Sequence, residues 1–389
     1  SVPRGRGLPD RGLFPLPFKT EMKPWILAGM VIAAAGGISH NGATAEDGSR
    51  SAIAPPAGPD WIDVGQPVKA ARSPFVDVDA SRHVLNPSLV FADAFPFLGW
   101  IEFNAHGIPQ VHSGHWNRAG WIKDGGAQNM DATHPAFDLT MSSNGKTPYL
   151  AWIELNAKEI PQLYVKHRVG HQWIIDGGSL NFDPTQRAAN PALSAAGPVP
   201  YVAWTESNAR RVFQLYVKQR SEGGWQMDGE GSLNVSPARD AIEPVIALRG
   251  SVPYITWAEL SDQNVYQVYV KRWNGSAWEG LGRSLNLDTE NHALNPSIAF
   301  LGEVPYVAWT EINVVFAPDG MLDPSIGEGV FQLHVKRWEN GSWVSDGTSL
   351  NSDPTRHALS PSLVQAGSAL YAAWTEYDAK GISQIHVKH

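Results

Sequence analysis

The chain has 389 residues, with 30 Lys and Arg against 38 Asp and Glu for a net charge of −8, and it contains no cysteine. The acid excess argues against nucleic acid or anionic lipid as the main partner, and the lack of thiols excludes disulfide staples, thiolate metal sites and a thiol nucleophile. Length alone would allow two or three domains, yet a repeat that runs from Trp61 to His389 argues for one unit.

Taken in chain order, residues 1–21 read as an upstream extension or an artefact, and Met22 opens a segment predicted to be a secretory signal. Lys23 supplies the charged start, Trp25 to Ile38 the apolar stretch, and Ala43-Thr44-Ala45 the small-residue cleavage site, so a secreted or periplasmic protein without a membrane span after cleavage is expected. Residues 1–45 hold five Lys or Arg and two acids; without them 25 cations face 36 anions, a net charge of about −11. Residues 46–57 form a linker, and the repeat domain covers 58–389.

Fifteen of the 16 tryptophans fall into one register. The first series is Trp100, Trp152, Trp204, Trp257, Trp309 and Trp374, with gaps of 52, 52, 53, 52 and 65 residues. The second is Trp121, Trp173, Trp225, Trp278 and Trp343, each heading a Trp-x-x-x-Gly-x-Ser-Leu-Asn-like segment, and its missing sixth member is Trp61. Trp116, Trp273 and Trp338 lie between the two series.

Each unit carries four strand signals bounded by Gly, Pro and Asn. Strand A is Asn-Pro-Ser-Leu-like, as at Asn86 to Val90 and Asn190 to Leu193; strand B is Tyr149 to Glu154, strand C is Gln162 to Lys166, and strand D carries the second tryptophan. Asn274-Gly275 and Asn340-Gly341 predict tight C-to-D turns, because both central residues of such a turn need positive φ. Four antiparallel strands repeated six times predict an all-β, six-bladed β-propeller, in which the strand near Trp61 completes the last blade and removes open sheet edges. An open solenoid would need capping repeats, which are not visible. Eight residues separate Glu from Gln in Glu102/Gln110, Glu154/Gln162, Glu206/Gln214, Glu259/Gln267 and Glu376/Gln384. If these face each other, Trp152 opposes Tyr164 and Trp204 opposes Tyr216 on one sheet face, while Ala151, Ala203 and Ala308 lie on the other.

The repeated Trp-x-Glu pairs form the first candidate site: Trp100/Glu102, Trp152/Glu154, Trp204/Glu206, Trp257/Glu259, Trp309/Glu311 and Trp374/Glu376. An aromatic face beside a carboxylate suits a sugar, and the competing reading is that they satisfy the turn backbone at the strand end. In the D-to-A loops, His83, His134, His292 and His357 are candidates for a rim cluster with a metal or proton-relay role, or for hydrogen-bonded loop anchors. Units three and four break the pattern with Arg187, Arg239, Asp240 and Glu243; together with His292 these are the catalytic candidates, as an acid/base pair with an anion clamp or as paired surface charges. The B-to-C loop of the fifth unit, Val314 to Val330, is about 13 residues longer than its counterparts and is expected to be a flap over the rim. No motif points to a cofactor or a metal.

The segments Gln267 to Gly282, with Trp273-Asn274-Gly275 and Trp278, and Gln332 to Gly347 resemble secreted six-bladed β-propellers, and their Trp-x-Gly-x-x-Trp flavour is similar to that of propeller lectins of the fucose-binding kind. The resemblance implies sugar sites built from an Arg, a Glu and a Trp of neighbouring blades, although no Arg recurs in all six units. The WD40 Trp-Asp and the sialidase Ser-x-Asp-x-Gly-x-x-Trp box are missing. The expectation is an exported binding protein for carbohydrate or a cell-surface partner. The alternatives are a glycan-active or other hydrolase or lyase at the channel mouth, and a scaffold for another exported protein.

Overall fold

A computed structural model describes residues 82–312, 329–378 and 381–389. The expected strand near Trp61, the signal segment and most of the fifth-unit insertion lie outside the described residues. The protein is an all-β, six-bladed β-propeller. The first blade is β1 (Val84–Ala92), β2 (Phe95–Phe103), β3 (Pro109–Trp116) and β4 (Trp121–Lys123), paired in that order. Each later blade repeats the order: β5 (Ala136–Ser143) opens the second, β9 (Ala188–Ser194) the third, β13 (Ala241–Arg249) the fourth and β17 (His292–Leu301) the fifth. The sixth shows three described strands, β21 (Ala358–Ala366), β22 (Ala369–Tyr377) and β23 (Ser383–Lys388).

The predicted register holds. Glu102 pairs with Gln110, Glu154 with Gln162, Glu206 with Gln214, Glu259 with Gln267 and Glu376 with Gln384, and Trp152 and Trp204 oppose Tyr164 and Tyr216. Because side chains alternate, each sheet has one indole face and one branched face. Trp204 packs on Ile153, Leu163 and Val165 of the blade before it, and Trp257 packs on Ala203, Leu215 and Val217. Burying one indole contributes about 4–6 kcal/mol of transfer free energy, so the seams between blades are the core. A lysine from strand C lies over the ring: Lys166, Lys218, Lys271, Lys336 and Lys388 stand 5.5–5.8 Å from the indole centroids of their blades. In the first blade the cross-strand neighbour takes over, with Lys123 of β4 at 5.7 Å from Trp100.

Strand A of every blade carries a bulge at Asn86, Asp138, Asn190, Glu243, Asn295 or Ser360, all with φ of 49–53°. The bulge breaks the ladder to strand B, as between Leu85 and Ser88. The A strands of successive blades lie side by side through the first five seams. No comparable packing joins β21 to β1 among the described residues, and Ile385 and Val387 of β23 are 80% and 55% exposed where Leu163 and Val165 of the second blade are wholly buried.

One turn differs from expectation. Asn340 and Gly341 both have positive φ and close a two-residue hairpin between Glu339 and Ser342. Asn274 does not; its Oδ1 instead accepts the N–H groups of Ser276 and Ala277, and the loop spans four residues between Trp273 and Trp278. An Asn side chain that caps the turn removes the need for its own left-handed backbone.

Candidate functional site

The repeated residues are consumed by the scaffold. Glu154 accepts the Trp152 indole N–H at 2.8 Å and the backbone N–H groups of Met130 and Asp131 at 2.9 and 2.7 Å, from the loop entering its blade. Glu206, Glu259, Glu311 and Glu376 do the same for Trp204, Trp257, Trp309 and Trp374 and for the loops at 182–183, 235–236, 287–288 and 352–353. Glu102 departs from the pattern: its carboxylate serves Trp100 at 3.2 Å and Lys123 at 3.3 Å. All twelve side chains are buried, and the five pairs from Trp152/Glu154 to Trp374/Glu376 act as clamps between blade and loop. Gln162 fastens the loop that leaves the blade, through Pro184 O, and Asn181 does so through Leu163 N and Gln186 O. Glu and Gln thus face each other in register yet serve opposite loops.

The loop histidines divide. His292 and His357 use Nδ1 to accept the backbone N–H of Tyr266 and of Phe331, each at 3.2 Å. Asp240 makes the equivalent bond to Phe213 at 2.8 Å, so the break in the repeat keeps the latch and changes only the acceptor. A latch must be unprotonated, and burial holds His292 down to about 4. His134 instead pairs with Asp131 at 3.2 Å, and His83 is exposed with its ring edge-on to Phe103. No group of three or more His, Cys, Asp or Glu that could hold a metal occurs among the described residues.

The catalytic candidates are separately engaged. Arg187 enters through its backbone, which exchanges hydrogen bonds with Ser207. Arg239 pairs with exposed Asp262 at 3.1 Å. Glu243, on the fourth-blade bulge, reaches across the seam to Asn295, accepting its backbone N–H at 2.6 Å and its Nδ2 at 3.1 Å. Burial pushes Glu243 up to about 7 against that hydrogen bond, and the same cause lifts Asp138, its counterpart in the second blade, to about 6. Tyr266, whose ring is 5.9 Å from that of His292, has its hydroxyl pushed far up by burial and by Asp240 and Glu243. The four do not form an exposed acid/base pair with an anion clamp.

A different constellation fills the outer seam between the first two blades. From the first blade come His115 on β3 and Asp124 just after β4; from the second come Arg168 on β7 (Pro161–Val169) and Trp173 on β8 (Gln172–Ile175). Asp124 is buried and accepts His115 Nδ1 at 2.7 Å and the Trp173 indole N–H at 3.1 Å. Arg168 lies with its guanidinium 4.8 Å from the Phe97 centroid, and its Nη2 approaches Asp124 only to 3.5 Å. These groups, with Lys123 and His171, line an open recess of about 680 Å³. A larger groove of about 1080 Å³ runs along the fourth blade, between Gln263 and Tyr269 on one side and Arg283 and Glu290 on the other.

The sequence reading missed His115, Asp124 and Arg168. The available signal was a break on strand C: Arg168 and Arg220 stand where the first, fourth and fifth blades carry Trp116, Trp273 and Trp338.

No family model matches the chain, and no curated protein matches it. Solved structures similar to it include a Trypanosoma rangeli sialidase in complex with the inhibitor DANA, at 12% identity and a TM-score of 0.46 over 77% of this chain and 54% of that one. A Bombyx mori GH32 β-fructofuranosidase aligns at 13% identity and a TM-score of 0.39, over 60% of this chain and 53% of that one. The chain thus spans about half the length of these two proteins. Likeness at this level says nothing of activity.

Proposed function

We propose that the protein is an exported β-propeller that recognises carbohydrate through the outer seam between its first two blades. The observation that carries this reading is the recess at that seam, where the Trp173 indole borders hydrogen-bonding groups from both blades: His115, Asp124 and Arg168. A sugar offers an apolar ring face to an aromatic surface and hydroxyls to fixed donors and acceptors, and a volume of about 680 Å³ accommodates one to a few residues of an oligosaccharide. The repeated Trp-x-Glu pairs are not part of the proposed site, since their hydrogen-bonding capacity is taken by the loops they clamp. Glycan-array screening followed by calorimetry tests the reading: a saccharide that binds the wild type and loses affinity in Trp173→Ala supports it. Unchanged binding in a folded Trp173→Ala protein would move the site elsewhere.

A second reading, a glycan-active hydrolase with its site at the channel mouth, draws on Glu243. Burial pushes the Glu243 carboxyl up to about 7, and on this reading it would have to leave Asn295 to deliver a proton to a leaving group. Turnover of aryl glycosides that disappears in Glu243→Gln would establish it, and turnover that persists in that variant would remove Glu243 from the chemistry.

A further inference from the structure

The first two seams carry the same four residue types and use them differently. At the second seam, Asp176, His167, Arg220 and Trp225 take the places of Asp124, His115, Arg168 and Trp173. There Arg220 closes on the acid, with Nε and Nη2 at 3.1 and 3.0 Å from Asp176 Oδ1, while His167 Nδ1 stands 3.0 Å from Asp176 out of hydrogen-bond alignment. At the first seam the order is reversed. His115 holds Asp124 at 2.7 Å, Trp173 and Ser113 add their donors, and Arg168 is left at 3.5 Å with its Nε buried and unbonded among the described residues.

An arginine pairs well with an oxyanion only when two N–H groups reach it in parallel, and Asp124 does not offer Arg168 that geometry. The surroundings do not supply another acid. Asp124 is the one acid among the residues that line the recess, against Arg168, Lys123 and two histidines. Lys123 is bonded to Glu102 at 3.3 Å, while Arg168 reaches Asp124 and His115 only at 3.5 Å through Nη2 and keeps an unbonded Nε among the described residues. Its guanidinium carbon lies over Phe97 at 4.8 Å from the ring centroid and the side chain is one-tenth exposed, so it is pre-oriented by packing at little further entropic cost.

We infer that the first seam takes an anionic saccharide, whose carboxylate or sulfate group completes the hydrogen bonding of Arg168, while the second seam is a closed internal copy of the same site. This deepens the carbohydrate reading and rests on it. The anionic group is drawn to a local cation even though the chain as a whole carries a net charge of −8, so the attraction is short-ranged and falls with added salt.

Calorimetry on the folded full-length protein with three probes tests the inference: an oligogalacturonate, a sulfated galactan oligosaccharide and a neutral galactan oligosaccharide. The expected result is tighter binding of one or both anionic probes, a loss of about ten- to hundred-fold in Arg168→Gln, partial retention in Arg168→Lys, and wild-type affinity in Arg220→Gln. Whichever anionic probe binds identifies the acid as carboxylate or sulfate. Equal affinity for the neutral probe, with no effect of Arg168→Gln, would overturn the anionic assignment and leave the carbohydrate reading intact. Equal losses in Arg168→Gln and Arg220→Gln would overturn the distinction between the two seams. Failure of all three probes to bind the folded protein would overturn both the assignment and the reading beneath it.

Discussion

Replacing Glu206 by Ala tests the conclusion that the repeated carboxylates are structural. Glu206 is buried, and its two oxygens receive three N–H groups: the Trp204 indole at 2.8 Å, Phe182 N at 2.8 Å and Asp183 N at 2.7 Å. Alanine leaves all three without an acceptor inside a packed seam. Each stranded donor costs about 1–3 kcal/mol, and water entering the vacated volume offsets part of that, so a net loss of about 3–5 kcal/mol is expected. In a domain of this size that corresponds to a fall in Tm of roughly 6–12 °C. Urea unfolding followed by tryptophan fluorescence, with a thermal melt by circular dichroism, measures both quantities. Glycan affinity at the first seam should be unchanged in the surviving folded fraction. A loss below about 1 kcal/mol, accompanied by lost ligand affinity, would refute the reasoning and return the Trp-x-Glu pairs to a binding role.

Further outcomes follow from the same geometry. Glu243 and Asp138 have folded pKa values raised by burial to about 7 and about 6, so the stability they contribute is full below their unfolded values and is lost as pH rises through that window. Glu243→Gln should therefore be more stable than wild type at pH 8 by about 2 kcal/mol and no more stable at pH 4, and a flat difference between the two denaturation profiles would contradict the assignment. His292 behaves oppositely: with its pKa held down to about 4, its contribution is present above the unfolded value and lost on acidification. His292→Ala should cost about 1–2 kcal/mol at pH 7.5, since the Tyr266 N–H loses its acceptor, and zinc or nickel should not alter the Tm of the wild type; a metal-dependent melt would restore the metal reading. Trp204→Ala opens a cavity against Ile153, Leu163 and Val165 and should cost about 3–5 kcal/mol in the same unfolding assay, and a loss under about 1 kcal/mol would place that indole outside the core.

The architecture was legible because its cause is periodic. A blade cannot bury an indole face alone, so Trp152 and Trp204 recur at the interval that brings each onto the branched face of the preceding sheet. The eight-residue spacing of Glu154 and Gln162 fixed the hairpin register for the same reason. The candidate site was much less legible. A residue present in every unit serves every unit, and Glu154 proved to clamp Met130 and Asp131 rather than face solvent. Substitutions at repeated positions misled in the other direction: Asp240 replaces a histidine yet makes the bond to Phe213 that His292 makes to Tyr266. His115 and Arg168 come from different units and meet only across a seam, so neither spacing nor composition brings them together. The sequence does hold the difference between Trp116 and Arg168, but only the cross-strand pairings show that the two occupy one structural position.

Crystals of the protein soaked with the tightest-binding acidic oligosaccharide test the central claim most directly. The account predicts density for a sugar ring in the recess bordered by Trp173, with its carboxylate or sulfate on Arg168, and none beside Arg220. Density next to Glu243, or along the groove of the fourth blade, with the first seam empty, would contradict it.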